Sequence, residues 1–232
     1  MTAAWEGAPR LLAITNATAW FEHRAAADAF AVQLDRLCSL ARRWPSVRTD
    51  MLLRAHAATG AVCAAAVAQC VAAAGPAVGI AVTLPAGTDD ELPAALAAVA
   101  DAGARFVQVP EFAAHRLSAV LGARADVAPD LGIGRSCHGA DGVAAAFAVG
   151  ADFAILAPIY ATPAKPGVAP LGAEAFAAIA KAYPGRVVAL GGIDAARAAD
   201  LCHKGAAGIA AMRAAWTAEA PALFAACCDH AA

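Results

Sequence analysis

The residues able to do chemistry gather in one stretch of this chain, Gly132 to Gly167, in the order Arg135, Ser136, His138, Thr162, Lys165. Histidine is the side chain whose ordinary pKa lies nearest neutrality, so His138 is the natural candidate to take and return a proton. Lysine is scarce, with only Lys165, Lys181 and Lys204 in the chain, and Lys165 stands in a Pro/Gly-rich loop suited to anion binding. Each candidate also has a bland reading. His138 and Ser136 could merely cap a helix, and Lys165 could be solvated. Later in the chain Gly191-Gly192 and Met212-Arg213 follow apolar runs. Glycines there let backbone N–H groups approach a phosphate, to which Arg213 adds charge; a tight turn and a surface ion pair are the alternatives. Arg54 and His56 leave another apolar run. His23, His115, His203 and His230 fall on helices or termini and carry no expectation, and no His/Cys/carboxylate cluster has metal spacing.

Positioning these groups requires a scaffold, and the apolar pattern supplies one. Leu131–Gly134 reads as a strand, followed by a polar turn with Arg135, Ser136 and His138, an Ala-rich helix stopped by Gly150, and a strand Phe153–Ala157. Before it come strand Leu11–Thr15, a loop through Trp20, helix Ala25–Arg43, strand Asp50–Arg54, helix Gly60–Ala74 and strand Val78–Leu84. Thr88, with Glu91 three residues on, predicts a capping box opening a helix to Ala102. The triplets Ala102-Gly103-Ala104, Val149-Gly150-Ala151 and Lys204-Gly205-Ala206 each precede a buried apolar run, as a helix end, a left-handed glycine and a strand would. Helices Phe112–Leu121, Glu174–Ala182, Ala195–His203 and Thr217–Cys228 and strand Val187–Leu190 complete the count. Eight strands alternating with eight helices predict an α/β fold, a single (β/α)8 TIM barrel over 1–232 with loose termini at about 1–10 and 229–232. In such barrels the chemistry sits at the carboxyl ends of the strands.

Composition narrows the class. The hydrophobic fraction is 61%, much of it alanine, which points to a helix-rich soluble chain. A net charge of −2 provides no electrostatic case for nucleic acid. The uncharged run Gly60–Gly87 is long enough to span a bilayer, but Gln69 and Gly75-Pro76 interrupt it, and helix, turn and strand explain it better. Met1–Arg10 has no basic region before an apolar core, so the expectation is a cytoplasmic protein with no membrane partner. Cys38, Cys63, Cys70 and Cys202 read as small buried hydrophobes, and the vicinal Cys227 and Cys228 as free thiols.

The run Gly134-Arg135-Ser136-Cys137-His138, then GADFAILAPIYATPAK, LGGI and GIAAM, resembles the thiamine phosphate synthase/TenI family of thiamin-biosynthetic barrels over about residues 131–216. The SCH turn and the GIAAMRAAW ending are also similar to TenI-type domains fused to Nudix hydrolases. The resemblance implies that Gly191, Gly192, Met212 and Arg213 cradle a thiazole phosphate. It also puts Thr162 and Lys165 near the thiazole and a diphosphate, Ser136 on the diphosphate, and Arg54 and His56 at a substrate-binding strand end. The synthase joins hydroxymethylpyrimidine diphosphate to thiazole phosphate and releases pyrophosphate with Mg²⁺. Here Leu52 and His56 replace the family's glutamine and lysine, the third strand ends without its Asn-Asp pair, and Pro110-Glu111-Phe112-Ala113 replaces its acidic fourth end, leaving Glu111 as one candidate ligand. Those departures favour a TenI-like thiazole tautomerase with His138 as proton shuttle and no cofactor. A thiamine-phosphate synthase using Mg²⁺ is the alternative, and a non-catalytic binder of thiamin intermediates the second. The expected partner is a small phosphorylated thiazole, with self-association left open.

Overall fold

The computed structural model describes residues 7–8, 10–15 and 24–228, with the side chains of 24–27 outside that description. Trp20, His23, His230 and most of the termini expected to be loose lie outside the described residues. Eight strands pair in parallel and in sequence order into a closed barrel: β1 (Leu11–Ile14), β2 (Thr49–Leu53), β3 (Gly79–Thr83), β4 (Phe106–Val109), β5 (Gly132–Cys137), β6 (Phe153–Leu156), β7 (Val187–Leu190) and β8 (Gly208–Ala211). The helices that return the chain are α1 (Arg24–Arg43), α2 (Gly60–Ala74), α3 (Leu92–Asp101), α4 (Leu117–Val127), α5 (Ala140–Ala148), α6 (Ala173–Ala182), α7 (Ala195–His203) and α8 (Ala220–Cys228). The expected (β/α)8 barrel is the observed fold.

Two faces of each strand explain the two cores. Residues pointing outward, such as Met51, Ile80, Val107, Ile133 and Leu156, pack beneath the helices. Their inward neighbours Leu12, Leu52, Phe106, Phe153, Ile155 and Val188 fill the barrel itself. Phe106 and Phe153 meet edge to face there, 5.0 Å between centroids. Gly134 makes that pairing possible, since a Cβ at this position would lie 2.3 Å from the Phe153 ring. At the amino-terminal end Asp50 pairs with Arg105 at 3.2 Å. The recurrent Gly103, Gly150 and Gly205 have φ of 94°, 104° and 91°, so each ends its helix in the left-handed region before a buried strand.

Three helices begin several residues from where the sequence predicts, and proline accounts for two. Helix α3 begins at Leu92 and α8 at Ala220, which puts Pro93 and Pro221 in the first turn, where a missing N–H is tolerated. The Thr88–Glu91 pair therefore forms a turn ahead of α3. The Glu91 carboxylate accepts the Thr88 N–H at 2.7 Å, but the Thr88 hydroxyl donates to the same carboxylate at 3.2 Å and caps no helix. The expected helix Phe112–Leu121 is a 3₁₀ turn, Glu111–Arg116, continued by α4 to Val127.

The segment Gly60–Ala77 is long and apolar enough to cross a membrane by composition. It forms α2 and a 3₁₀ turn, with Cys63, Val67, Cys70 and Ala74 buried on the barrel side.

Candidate active site

The pleat sends alternate residues of β5 into the barrel, and this corrects one expectation. Arg135 and Ser136 belong to β5 and not to a turn after it. Ser136 faces inward, where Gln108 Nε2 of β4 donates to its Oγ at 2.8 Å. Arg135 faces outward, donates to the Gly142 carbonyl at 3.1 Å and pairs with Glu111 at 3.7 Å. Polar residues at a strand end lower β-propensity in isolation, but the carboxyl rim of a barrel faces a solvated pocket and accepts them.

His138 lies one residue beyond β5. Its Nδ1 is 2.6 Å from the Ala157 carbonyl at the end of β6, and its Nε2 is 3.2 Å from Lys165 Nζ. A carbonyl only accepts and an ammonium only donates. The two partners therefore select the neutral ring with hydrogen on Nδ1 and a lone pair on Nε2. Lys165 is brought back toward His138 by a turn in which its N–H donates to the Thr162 carbonyl at 3.1 Å.

The Gly-Gly turn after β7 is held just as closely. Gly191 and Gly192 have φ of 108° and 65°. A Cβ on Gly192 would stand 2.5 Å from the Ala161 carbonyl oxygen and 2.9 Å from Tyr160. Arg197 donates to the Gly192 carbonyl at 2.7 Å and lies over the Tyr160 ring, and Asp194 caps α7 by accepting the Arg197 N–H at 2.9 Å. The turn thus faces a helix N-terminus, a favourable place for an anion. Arg213 is exposed beyond β8, with no carboxylate in ion-pair contact among the described residues.

Thr162, Lys165, Gly191, Gly192, Met212 and Arg213 line one cavity of about 950 Å³ on the carboxyl rim. Arg54 joins it through Met212, whose Sδ lies 4.0 Å from Nη1. Ser136 and His138 stand on the same rim outside that lining, His138 linked to it by Lys165. His56 turns away, its ring edge-on to the exposed Phe112 at 5.5 Å and its Nε2 3.5 Å from Arg54. Sequence reasoning missed Trp216, whose indole N–H donates to the Ile14 carbonyl at 2.8 Å at the cavity wall. It also missed Gln108, though a lone amide at an inward position of an apolar strand was a readable signal.

Burial, and then the Arg54 guanidinium, hold the His56 pKa below its ordinary 6.5. The folded protein therefore resists protonating His56 where the unfolded chain does not. Its contribution to stability is complete above about pH 6.5 and is lost as pH falls through the lowered folded value. His56→Gln is expected to flatten the stability profile between pH 7 and pH 5 in urea titrations. Superimposable profiles for parent and variant would refute this.

Magnesium needs one or two carboxylates beside substrate phosphate oxygens. The ends of β3 and β4 offer Thr83-Leu84-Pro85 and Pro110-Glu111, and the Glu111 carboxylate is drawn to Arg135 on the outer side of β5. No group of three or more His, Cys, Asp or Glu side chains able to hold a metal occurs among the described residues. The ends of β3 and β4 therefore do not fit a magnesium site built on carboxylates.

Residues 115–215 match the family model described as thiamine monophosphate synthase. That segment is similar to the thiamine phosphate synthase/TenI family. A thiamine-phosphate synthase of Mycolicibacterium paratuberculosis is 41% identical over 93 residues, 40% of this chain and 42% of the relative. A second, from a Synechocystis species, is 38% identical over 92 residues, 40% of this chain and 27% of the relative. The match thus spans less than half the length of these curated relatives. A solved thiamine phosphate pyrophosphorylase from Pyrococcus furiosus superposes with a TM-score of 0.65 at 19% identity, covering 96% of this chain and 95% of that one, a likeness of fold. The family stretch contains β5, β6, β7 and β8 with their loops, and so His138, Lys165, Gly192 and Arg213.

Proposed function

We propose that the chain is an enzyme of thiamin biosynthesis that binds a phosphorylated thiazole in the 950 Å³ cavity and moves a proton on the ring with His138. The observation that carries this reading is the Ala157–His138–Lys165 array, which leaves a neutral imidazole with its Nε2 lone pair toward the rim loop. The phosphate goes to the Gly191-Gly192 turn, the N-terminus of α7 and Arg213, with Lys165 and Thr162 across the cavity. An anionic substrate offers Lys165 a better acceptor than the imidazole and so releases Nε2. The ring nitrogen then takes a proton from one carbon of the thiazole, and the imidazolium returns it at the other end of the conjugated system. Atoms balance and no leaving group is made. Such a tautomerisation asks for no metal, and no group of three or more His, Cys, Asp or Glu side chains able to hold one occurs among the described residues.

A second reading is favoured by the relatives' names, thiamine-phosphate synthase. It would use the same thiazole phosphate and release pyrophosphate from a pyrimidine diphosphate, with Arg54, Lys165 and Arg213 as the cations available to the leaving group. In either reading the partner is a small molecule and the setting cytoplasmic.

Two assays on one preparation separate the readings. The first offers thiazole phosphate, hydroxymethylpyrimidine diphosphate and Mg²⁺, with thiamin phosphate followed by chromatography. The second offers the non-aromatic tautomer of a thiazole carboxylate phosphate, followed by ring absorbance with and without EDTA. Turnover in the second, indifferent to EDTA, is expected. Robust Mg²⁺-dependent thiamin phosphate formation would move the assignment to the synthase. Tight binding with no turnover in either would leave a non-catalytic binder.

A further inference from the structure

A polar pair interrupts the apolar filling of the barrel just below its carboxyl rim. Phe106 and Phe153, edge to face at 5.0 Å, close the interior. Two residues on from Phe106 stands Gln108, only 4% exposed, and two residues on from its register partner Gly134 stands the half-buried Ser136. Beyond Ser136, its own register partner on β6 is the apolar Ile155. An amide buried in such a layer costs free energy unless its polar atoms find partners, and an aliphatic side chain would fill the position without that cost. Packing therefore gives no reason for glutamine at 108.

The hydrogen bond between the two has a direction. Gln108 Nε2 donates to Ser136 Oγ at 2.8 Å. A hydroxyl has one hydrogen and two lone pairs, and the amide occupies a lone pair, so the hydrogen is left to be donated elsewhere. Among the described residues it meets no acceptor. The nearby Thr83, register partner of Gln108 on β3, is engaged with the Ala55 N–H, which its hydroxyl accepts at 2.8 Å. Ser136 is also the more exposed of the pair, on the side of the barrel mouth. His138 follows it by two residues, about 7 Å further along an extended chain.

We propose that Gln108 is a positioning residue that sets substrate specificity: it holds the Ser136 oxygen as an acceptor, so that the hydroxyl hydrogen is donated to a carboxylate on the thiazole ring. The inference rests on the proton-transfer reading above, in which the ring carries that carboxylate. The ligand's phosphate has its donors on the loops after β7 and β8, so its second anionic group falls to β5. A hydrogen bond to a carboxylate is charge-assisted and stronger than one between neutral groups. With an apolar residue at 108 the hydroxyl turns freely and no longer favours donation toward the ligand. With glutamate there the polarity reverses, since the new carboxylate accepts the hydroxyl hydrogen and the ligand meets only lone pairs.

Calorimetry on the full chain with two ligands, thiazole phosphate and its ring-carboxylated counterpart, tests this. The readout is the ratio of the two dissociation constants, because general damage to the barrel weakens both ligands together and leaves the ratio alone. The parent is expected to favour the carboxylated ligand at least about tenfold, the scale of one hydrogen bond to a charged group. The ratio should fall to about one in the nearly isosteric Gln108→Met and in Ser136→Ala, no further in the double variant, and below one in Gln108→Glu. The apolar and the charged variant at position 108 are independent, so one that fails to fold leaves the other to decide. A parent that binds both ligands equally, or a ratio that survives in Gln108→Met, would overturn the role of Gln108 and leave the cavity reading standing. A parent that binds neither ligand would remove that reading and this inference with it. Inorganic pyrophosphate that displaces the carboxylated ligand from the parent but not from Ser136→Ala would give the hydroxyl to a diphosphate instead, and so refute the proposal.

Discussion

Replacing His138 with asparagine is expected to lower turnover of the phosphorylated thiazole by about two to four orders of magnitude, the usual contribution of a positioned acid/base. Asparagine can still donate to the Ala157 carbonyl, which now accepts from Nδ1 at 2.6 Å, so the loop after β5 keeps its anchor. What it lacks is the Nε2 lone pair facing Lys165. The Gly191-Gly192 turn and Arg213 are untouched, so affinity measured by calorimetry with thiazole phosphate should stay within about threefold of the parent, a difference well under the 1.4 kcal/mol of a tenfold change. Loss of affinity equal to the loss of rate would show that His138 serves to bind and not to move a proton.

Gly192→Val is expected to have the converse effect. Its φ of 65° is poorly suited to a β-branched residue, and the added Cβ would meet the Ala161 carbonyl oxygen at 2.5 Å. The opposing atoms are backbone of the β6 loop, which carries Thr162 and Lys165 onward, so relief requires the two loops to part. Strain of about 1–3 kcal/mol follows from a side chain forced into such a conformation. Expressed as binding, that range corresponds to roughly a tenfold to hundredfold weaker Kd for the phosphate. Rate at saturating substrate should fall far less than in His138→Asn. A folded variant with the parent's Kd would remove the Gly-Gly turn from the phosphate site.

Several features of the fold and the site are legible in the amino-acid sequence alone. Gly103, Gly150 and Gly205 announce helix ends because a left-handed residue followed by an apolar run is a local pattern, and φ at all three is positive. Gly191-Gly192 and Met212-Arg213 fall after their strands by the same local logic, and they share a cavity. Arg135 is misplaced in a turn by such reasoning, because whether a polar residue closes a strand depends on what its outward face meets, here Glu111 and the Gly142 carbonyl. Glu111 suffers from the same limit: its type suggests a metal ligand, and its partner across space takes it off the rim.

By itself the sequence determined the order and number of the strands and helices, hence the barrel, and it located the loops that carry His138, Lys165, Gly192 and Arg213. Periodicity, glycine at helix ends and proline in first turns are local effects, set by backbone sterics and by the need to bury one face of each element. Only the tertiary structure decided which nitrogen of His138 keeps its lone pair, that Gln108 orients Ser136, and that His56 turns from the cavity toward Phe112. Each of these rests on a donor, acceptor or ring brought within a few ångströms by closure of the barrel. Hydrogen bonds and ion pairs are decided at that range, and between residues far apart in the chain no local preference encodes it.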